Sequence, residues 1–186
     1  MFESQLIDKC KANDGEAYRQ LMKFYKNKLY GYLWRFSLTE DEADEMFQET
    51  LIKAWKGIRK YNEQKKFASW LFTIAHNVAM DFLRSKNKNA ILVPIDEIND
   101  KSYLQSIDDQ IVQKEELEKI NKIVMKLSNK QREVFLLRQN GDLSFKEIAE
   151  ITNQPINTVL SHMRYSIKKI KKQFENENES RKKTVI

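Results

Sequence analysis

The chain has 186 residues, 41% hydrophobic and 32% charged, with a formal net charge of +6, enough for one or two domains with small cores. Only 4 Gly and 2 Pro, with no run of alternating β-branched residues, exclude a sheet protein and predict an all-α fold. A single cysteine, Cys10, excludes an internal disulfide framework, and no metal-ligand spacing, glycine-rich phosphate loop or nucleophile elbow is present, so neither enzyme activity nor a cofactor or metal is expected.

The first eighteen residues, MFESQLIDKCKANDGEAY, have no apolar core of signal-peptide length, and nowhere is there an apolar run able to span a bilayer. A soluble, cytoplasmic chain without membrane insertion is expected. Two amphipathic helices are predicted between Ser4 and Phe36, broken at Asn13, Asp14 and Gly15. In the second, Leu21, Phe24, Tyr25, Leu29, Tyr32, Leu33 and Phe36 form an apolar side, which reads as core.

Thr39 opens a T-E-D-E capping box, and Ala43, Met46, Phe47, Thr50, Leu51, Ala54, Trp55 and Ile58 follow at helical spacing. The opposite face carries Asp41, Asp44, Glu45, Gln48 and Glu49. Acids are favoured in the first turn of a helix, but Gln48 and Glu49 lie beyond it. Such a face is either a solvated surface or a docking site for a basic protein, and charge alone favours the first.

A polar loop, Lys60 to Lys66, precedes a helix from Phe67 to Arg84 whose core face is Phe67, Trp70, Leu71, Ile74, Ala75, Val78 and Phe82. Thr73, His76, Asn77, Met80 and Arg84 share the other face. Asn is a mediocre helix former, so Asn77 in mid-helix invites a function, although a solvated Asn is the commoner case. Residues 85–109 lose the helical period and read as a flexible linker that closes a first helical domain, 1–84. A second domain, 110–174, begins with a helix in which Leu117, Ile120, Val124 and Leu127 repeat. Ser128 and Gln131 form another capping box, and Gly141 ends the next helix.

Ser144 to Lys172 then reads as a helix-turn-helix. Ser144 and Glu147 form a capping box, Asn153 suits a left-handed turn, and Pro155 opens a second helix. There Val159, Met163, Ser166, Ile167, Ile170 and Phe174 form the inner side and Thr158, Ser161, His162, Arg164, Tyr165 and Lys168 the outer one, a face fit for a DNA major groove. A helical hairpin with a solvated basic face is the plainer alternative. Residues 116–186 hold fifteen Lys and Arg against nine Asp and Glu, so the positive charge sits with this domain. The tail, 175–186, is polar and expected to fray.

The segments DEADEMFQETLIKAW, FASWLFTIAHNVAMDFLR and LSNKQREVFLLRQNGDLSFKEIAEITNQPINTVLSHMR resemble regions two and four of the extracytoplasmic-function (ECF) class of bacterial RNA polymerase sigma factors, in the sigma-70 family. The resemblance spans Ala17 to Lys172. It implies that Asp44, Gln48 and Glu49, at the family's D-x-x-x-Q-E positions and with Glu45 beside them, dock on the coiled coil of the beta-prime subunit of core RNA polymerase. For this face the resemblance therefore points to docking, where charge alone points to a solvated surface. It implies that Lys65, Lys66 and the helix around Asn77, with Thr73, His76, Met80 and Arg84, meet the minus-ten promoter element. It assigns Thr158, Ser161, His162, Arg164, Tyr165 and Lys168 to the minus-thirty-five element, and it implies an anti-sigma factor as regulator. Similar proteins usually carry G-T-V-K-S-R where this chain has Asn157, Thr158, Val159, Leu160, Ser161 and His162, so two cations are missing. The rival readings are a stand-alone helix-turn-helix regulator that binds duplex DNA without polymerase, and a helical interaction protein with an incidental basic tail.

Overall fold

The computed structural model describes residues 2–62, 66–89 and 123–184, and the chain divides into two compact units. Among the described residues there are helices and turns but no strand. The amino-terminal unit contains α1 (Phe2–Lys11), α2 (Gly15–Trp34), α3 (Glu40–Gly57), a 3-10 turn (Ile58–Lys60) and α4 (Phe67–Asn89). The break between α1 and α2 lies where expected. Asn13 takes a φ of 72°, and the Asp14 side chain caps α2 by accepting the Glu16 and Ala17 amides at 2.9 and 3.0 Å.

Leu21, Leu29, Tyr32 and Leu33 of α2 are buried with Ala43, Met46 and Ala54 of α3 and with Leu71, Phe72, Ala75 and Ala79 of α4. The alanines let the helix backbones approach, while the large side chains fill the space between them. Tyr32 packs edge-on against Phe36 and Phe72. Phe24 departs from the expected core stripe. It is 61% exposed, resting edge-on against Phe2, while its neighbour Tyr25 turns inward to Phe67.

Thr39 caps α3 by accepting the Glu42 amide at 3.3 Å. Glu42 reaches back one residue further than a capping box requires, to the Leu38 amide at 2.7 Å, and also holds Lys86 of α4 at 2.6 Å. Burial alone would raise this carboxyl, but the Lys86 ammonium and the backbone amides outweigh it and hold it below the ordinary carboxylate range. This bond belongs to a part of α4 that the sequence pattern places in the linker. The helix runs to Asn89, five residues past Arg84, because Lys86 gains a partner on α3 and Arg84 one on Asp81 at 2.8 Å. The remainder of the expected linker, 90–109, and the helix expected over 110–122 lie outside the described residues.

The carboxy-terminal unit has a short helical turn at residues 123–125, then α5 (Asn129–Gly141), α6 (Phe145–Thr152) and α7 (Ile156–Thr184). Ser128 and Gln131 form the reciprocal box expected of them. The half-buried Arg132 guanidinium donates to the Met125 and Leu127 carbonyls, and Lys169 of α7 donates to the Lys126 carbonyl at 2.6 Å, so two cations satisfy the end of the first turn. Gly141 ends α5, but the left-handed residue is Asp142, with φ 50°. Gly141 is required for space, since a Cβ there would lie 2.8 Å from Leu143 Cγ. The tail also differs from expectation, being helical to Thr184.

Glu133 on α5 is buried, and burial raises its carboxyl although Lys130 lies 3.4 Å away. An acid whose folded pKa exceeds its unfolded one contributes stability at low pH that is lost as pH rises through the folded value. Replacing Glu133 with Gln should therefore raise the melting temperature at pH 7, with the gain shrinking on acidification toward pH 4. Thermal melts of both proteins across that range, with an unchanged or lowered midpoint at pH 7, would contradict this assignment.

Candidate protein and nucleic-acid interfaces

Three faces follow from how these helices bury their inner sides. On α3, Ala43, Met46, Thr50 and Ala54 point inward, so Asp41, Asp44, Glu45, Gln48 and Glu49 are left exposed on one ridge. Asp44 is held in place, since the buried Tyr30 hydroxyl donates to its Oδ1 at 2.7 Å and Tyr30 itself packs against Trp34 and Phe47. Glu49 pairs with Lys53 at 2.8 Å. Sequence reasoning missed Ile52, which is 53% exposed and continues the ridge one turn past Gln48 and Glu49. Helical spacing from those two residues was the available signal. The ridge is acidic at its start and apolar at its end, the mixture of steering charge and apolar anchor that protein docking uses.

Lys66, just before α4, and Trp70, Thr73, Asn77, Met80 and Arg84 on it form a stripe at three- and four-residue spacing. Asn77 and Lys66 are exposed, Thr73 and Met80 half-buried; the Thr73 hydroxyl donates to the Ser69 carbonyl at 2.7 Å. Lys65 lies outside the described residues. His76 does not belong to this stripe. It is 5% exposed, its Nδ1 3.2 Å from the Tyr32 hydroxyl, because one residue before Asn77 is about 100° round the helix, toward α2. A buried Tyr needs a partner for its hydroxyl, and His76 is that partner. Trp70, expected in the core, is only half-buried; its ring meets Tyr61 and Phe67, and Gly57 leaves room for it, since a Cβ there would lie 3.2 Å from Trp70 Cζ2.

The helix-turn-helix is formed as the sequence implies. Ser144 and Glu147 cap α6 reciprocally, Asn153 is left-handed with φ 52°, and the Pro155 carbonyl accepts the Thr158 and Val159 amides that begin α7. Val159 and Ser166 are fully buried, the Ser166 hydroxyl donating to the Gln131 and His162 carbonyls. That orientation turns Asn157, Leu160, Ser161, Arg164, Lys168 and Lys171 outward. Tyr165 is exposed at one side of the face. Thr158 and His162 are half-buried beside the inner side, so the outward ridge is shifted from the expected one. Ile167, expected inside, is exposed. Asn157, Leu160 and Lys171 are the residues that sequence reasoning left out.

One unit carries a helix-turn-helix, a geometry suited to duplex DNA, and the other an exposed acidic ridge and a polar stripe. The sequence matches the family Sigma-70 region 2 over residues 21–89 and the family Sigma-70, region 4 over residues 117–170. It is 29% identical over 184 residues to the ECF RNA polymerase sigma factor SigW of Bacillus subtilis, covering 94% of this chain and 97% of that one. It is 27% identical over 169 residues to the ECF RNA polymerase sigma-E factor of Haemophilus influenzae, covering 87% of this chain and 89% of that one. In fold it is similar to the sigma factor RpoE solved with the anti-sigma factor NepR from Bartonella quintana, with a TM-score of 0.67 at 22% identity over 85% of this chain and 96% of that one. CnrH, solved with the cytosolic domain of CnrY, gives a TM-score of 0.67 at 19% identity over 95% and 99% of the two chains. The chain belongs to the sigma-70 family of RNA polymerase sigma factors, in its ECF class. No described helix is long and apolar enough to cross a membrane.

Proposed function

We propose that this chain binds core RNA polymerase in the bacterial cytoplasm, directs it to a narrow set of promoters, assists melting of the minus-ten region and is then released, without catalysing a reaction itself. The observation that carries the reading is that both units match regions of one family, in that family's order. In this reading Asp44, Glu45, Gln48 and Glu49, with Ile52 as apolar anchor, dock on the beta-prime coiled coil; their exposure and the bond from Tyr30 to Asp44 support it. Asn77 takes up a base extruded from the minus-ten element, flanked by Lys65, Lys66, Thr73, Met80 and Arg84. The outward face of α7 enters the major groove of the minus-thirty-five element, with Ser161, Arg164, Tyr165 and Lys168 in contact. An anti-sigma factor that covers these faces is the regulator, as the anti-sigma factor NepR bound to RpoE suggests.

Run-off transcription from a promoter library with purified core polymerase tests this directly: added chain should enrich a shared pair of upstream elements, and an unselective transcript pool would count against it. In the same assay Arg164→Ala should weaken the upstream preference by about 1–3 kcal/mol if the guanidinium bonds a base edge. An unchanged preference would remove Arg164 from the contact.

A further inference from the structure

We propose that Leu160, with Ile156 one turn before it, forms an apolar edge on α7 that contacts the C5-methyl group of thymine in the major groove of the upstream promoter element. This rests on the reading of α7 as the helix that enters that groove, and it names the base feature that the groove must offer.

Leu160 is 42% exposed and Ile156 45%, whereas Val159, next in the chain, is fully buried. Leu160 is therefore part of the outward ridge, one turn from Asn157 on one side and from Arg164 on the other. Between Ile156 and Phe174 there is no acid, and the cations Arg164, Lys168, Lys169, Lys171 and Lys172 are confined to the later turns. The first turns offer only Ile156, Asn157, Leu160 and Ser161 outward, none of them charged.

A recognition helix presents its first residues to base edges and its later ones toward the backbone, so the neutral section, with Arg164 one turn behind it, lies at the bases and the lysines from Lys168 onward at the phosphates. Base edges in the major groove are donors and acceptors, with one exception, the methyl group of thymine. An apolar side chain held against any other edge removes water from a polar group and returns no bond. Against the methyl group, both surfaces are apolar and both leave water. The Ser161 hydroxyl is already used, donating to the Asn157 carbonyl at 2.8 Å. The Asn157 side chain is exposed and has the donor and acceptor that match adenine N7 and N6, so Asn157 and Leu160 together suit adjoining A·T pairs.

The test uses core polymerase loaded with the full chain. Promoter duplexes randomised over the upstream element are selected, and a selected duplex is resynthesised with deoxyuridine for thymine at one position at a time, which removes only the methyl group. At one or two positions the change should weaken wild-type binding about fourfold, the factor that burying one methyl group corresponds to. Leu160→Ala should bind the two forms more nearly equally than the wild type does, and Leu160→Lys should do the same while steepening the salt dependence by about one ion. Indifference of the wild type to every deoxyuridine, or an undiminished methyl effect in Leu160→Ala, overturns the proposal. So does loss of polymerase retention by Leu160→Ala with methyl dependence intact, which would make Leu160 a protein contact. A selection without any upstream preference instead overturns the reading of α7 on which the proposal rests.

Discussion

Asn77→Ala should leave the fold and polymerase binding intact while lowering the equilibrium constant for promoter opening by about 5- to 150-fold. The range corresponds to the roughly 1–3 kcal/mol that a good pair of hydrogen bonds to a base provides. The side chain is exposed in the middle of α4, so its loss leaves no cavity, and Ala is the better helix former at that position. An amide offers a donor and an acceptor to the Watson-Crick edge of an unstacked base, and that edge is available only once the duplex has opened. Binding energy released only in the open state shifts the equilibrium toward it, whereas equal contacts in both states would shift nothing. Permanganate reactivity of unpaired thymines reads the open fraction, and co-sedimentation with core polymerase reads the docking. Equal loss in both measurements would mean that Asn77 supports the fold or the docking face, not the opening of DNA.

The second large effect concerns the core beneath that stripe. Tyr32→Ala should destabilise the amino-terminal unit by about 3–5 kcal/mol, the usual cost of removing a buried aromatic side chain. Tyr32 is fully buried, packs edge-on against Phe36 and Phe72, and its hydroxyl lies 3.2 Å from His76 Nδ1. Truncation would therefore open a cavity and also remove a polar partner from a buried imidazole. Urea unfolding followed by circular dichroism measures the loss. A shift below about 1 kcal/mol would show that the site collapses around the deletion or that His76 finds another partner.

Much of this architecture is legible in the residues because it depends on local chemistry. The caps at Ser128 and Ser144 follow from side chains within three residues of the backbone groups they serve, and the left-handed Asn153 from the tolerance of Asn for that conformation. His76 was not legible in the same way. It lies at the border between the inner and outer sides of α4, and contacts such as that with the Tyr32 hydroxyl, 44 positions earlier, decide which way it belongs. Phe24 and Ile167 show the complementary difficulty: an apolar residue at helical spacing predicts burial, yet much of any protein surface is apolar. The same ambiguity displaced the outward ridge of α7 from Thr158 and His162 toward Asn157 and Leu160. The helical extensions to Asn89 and Thr184 were hidden because their polar residues carry no hydrophobic period, and one of them depends on Lys86 meeting Glu42 on another helix.

In the proposed function, the ridge on α3 is where the chain holds core RNA polymerase. The most direct test is retention of purified core polymerase by the immobilised chain, comparing wild type with the triple variant Asp44→Ala, Gln48→Ala, Glu49→Ala. All three side chains are exposed, and a thermal melt checks that Tyr30, which loses its acceptor on Asp44, still holds its place. Retention by the wild type and its loss in a variant that melts normally is the predicted result. A wild-type chain that retains no polymerase, or a folded variant that retains as much, would contradict the account and favour a regulator that binds duplex DNA by itself.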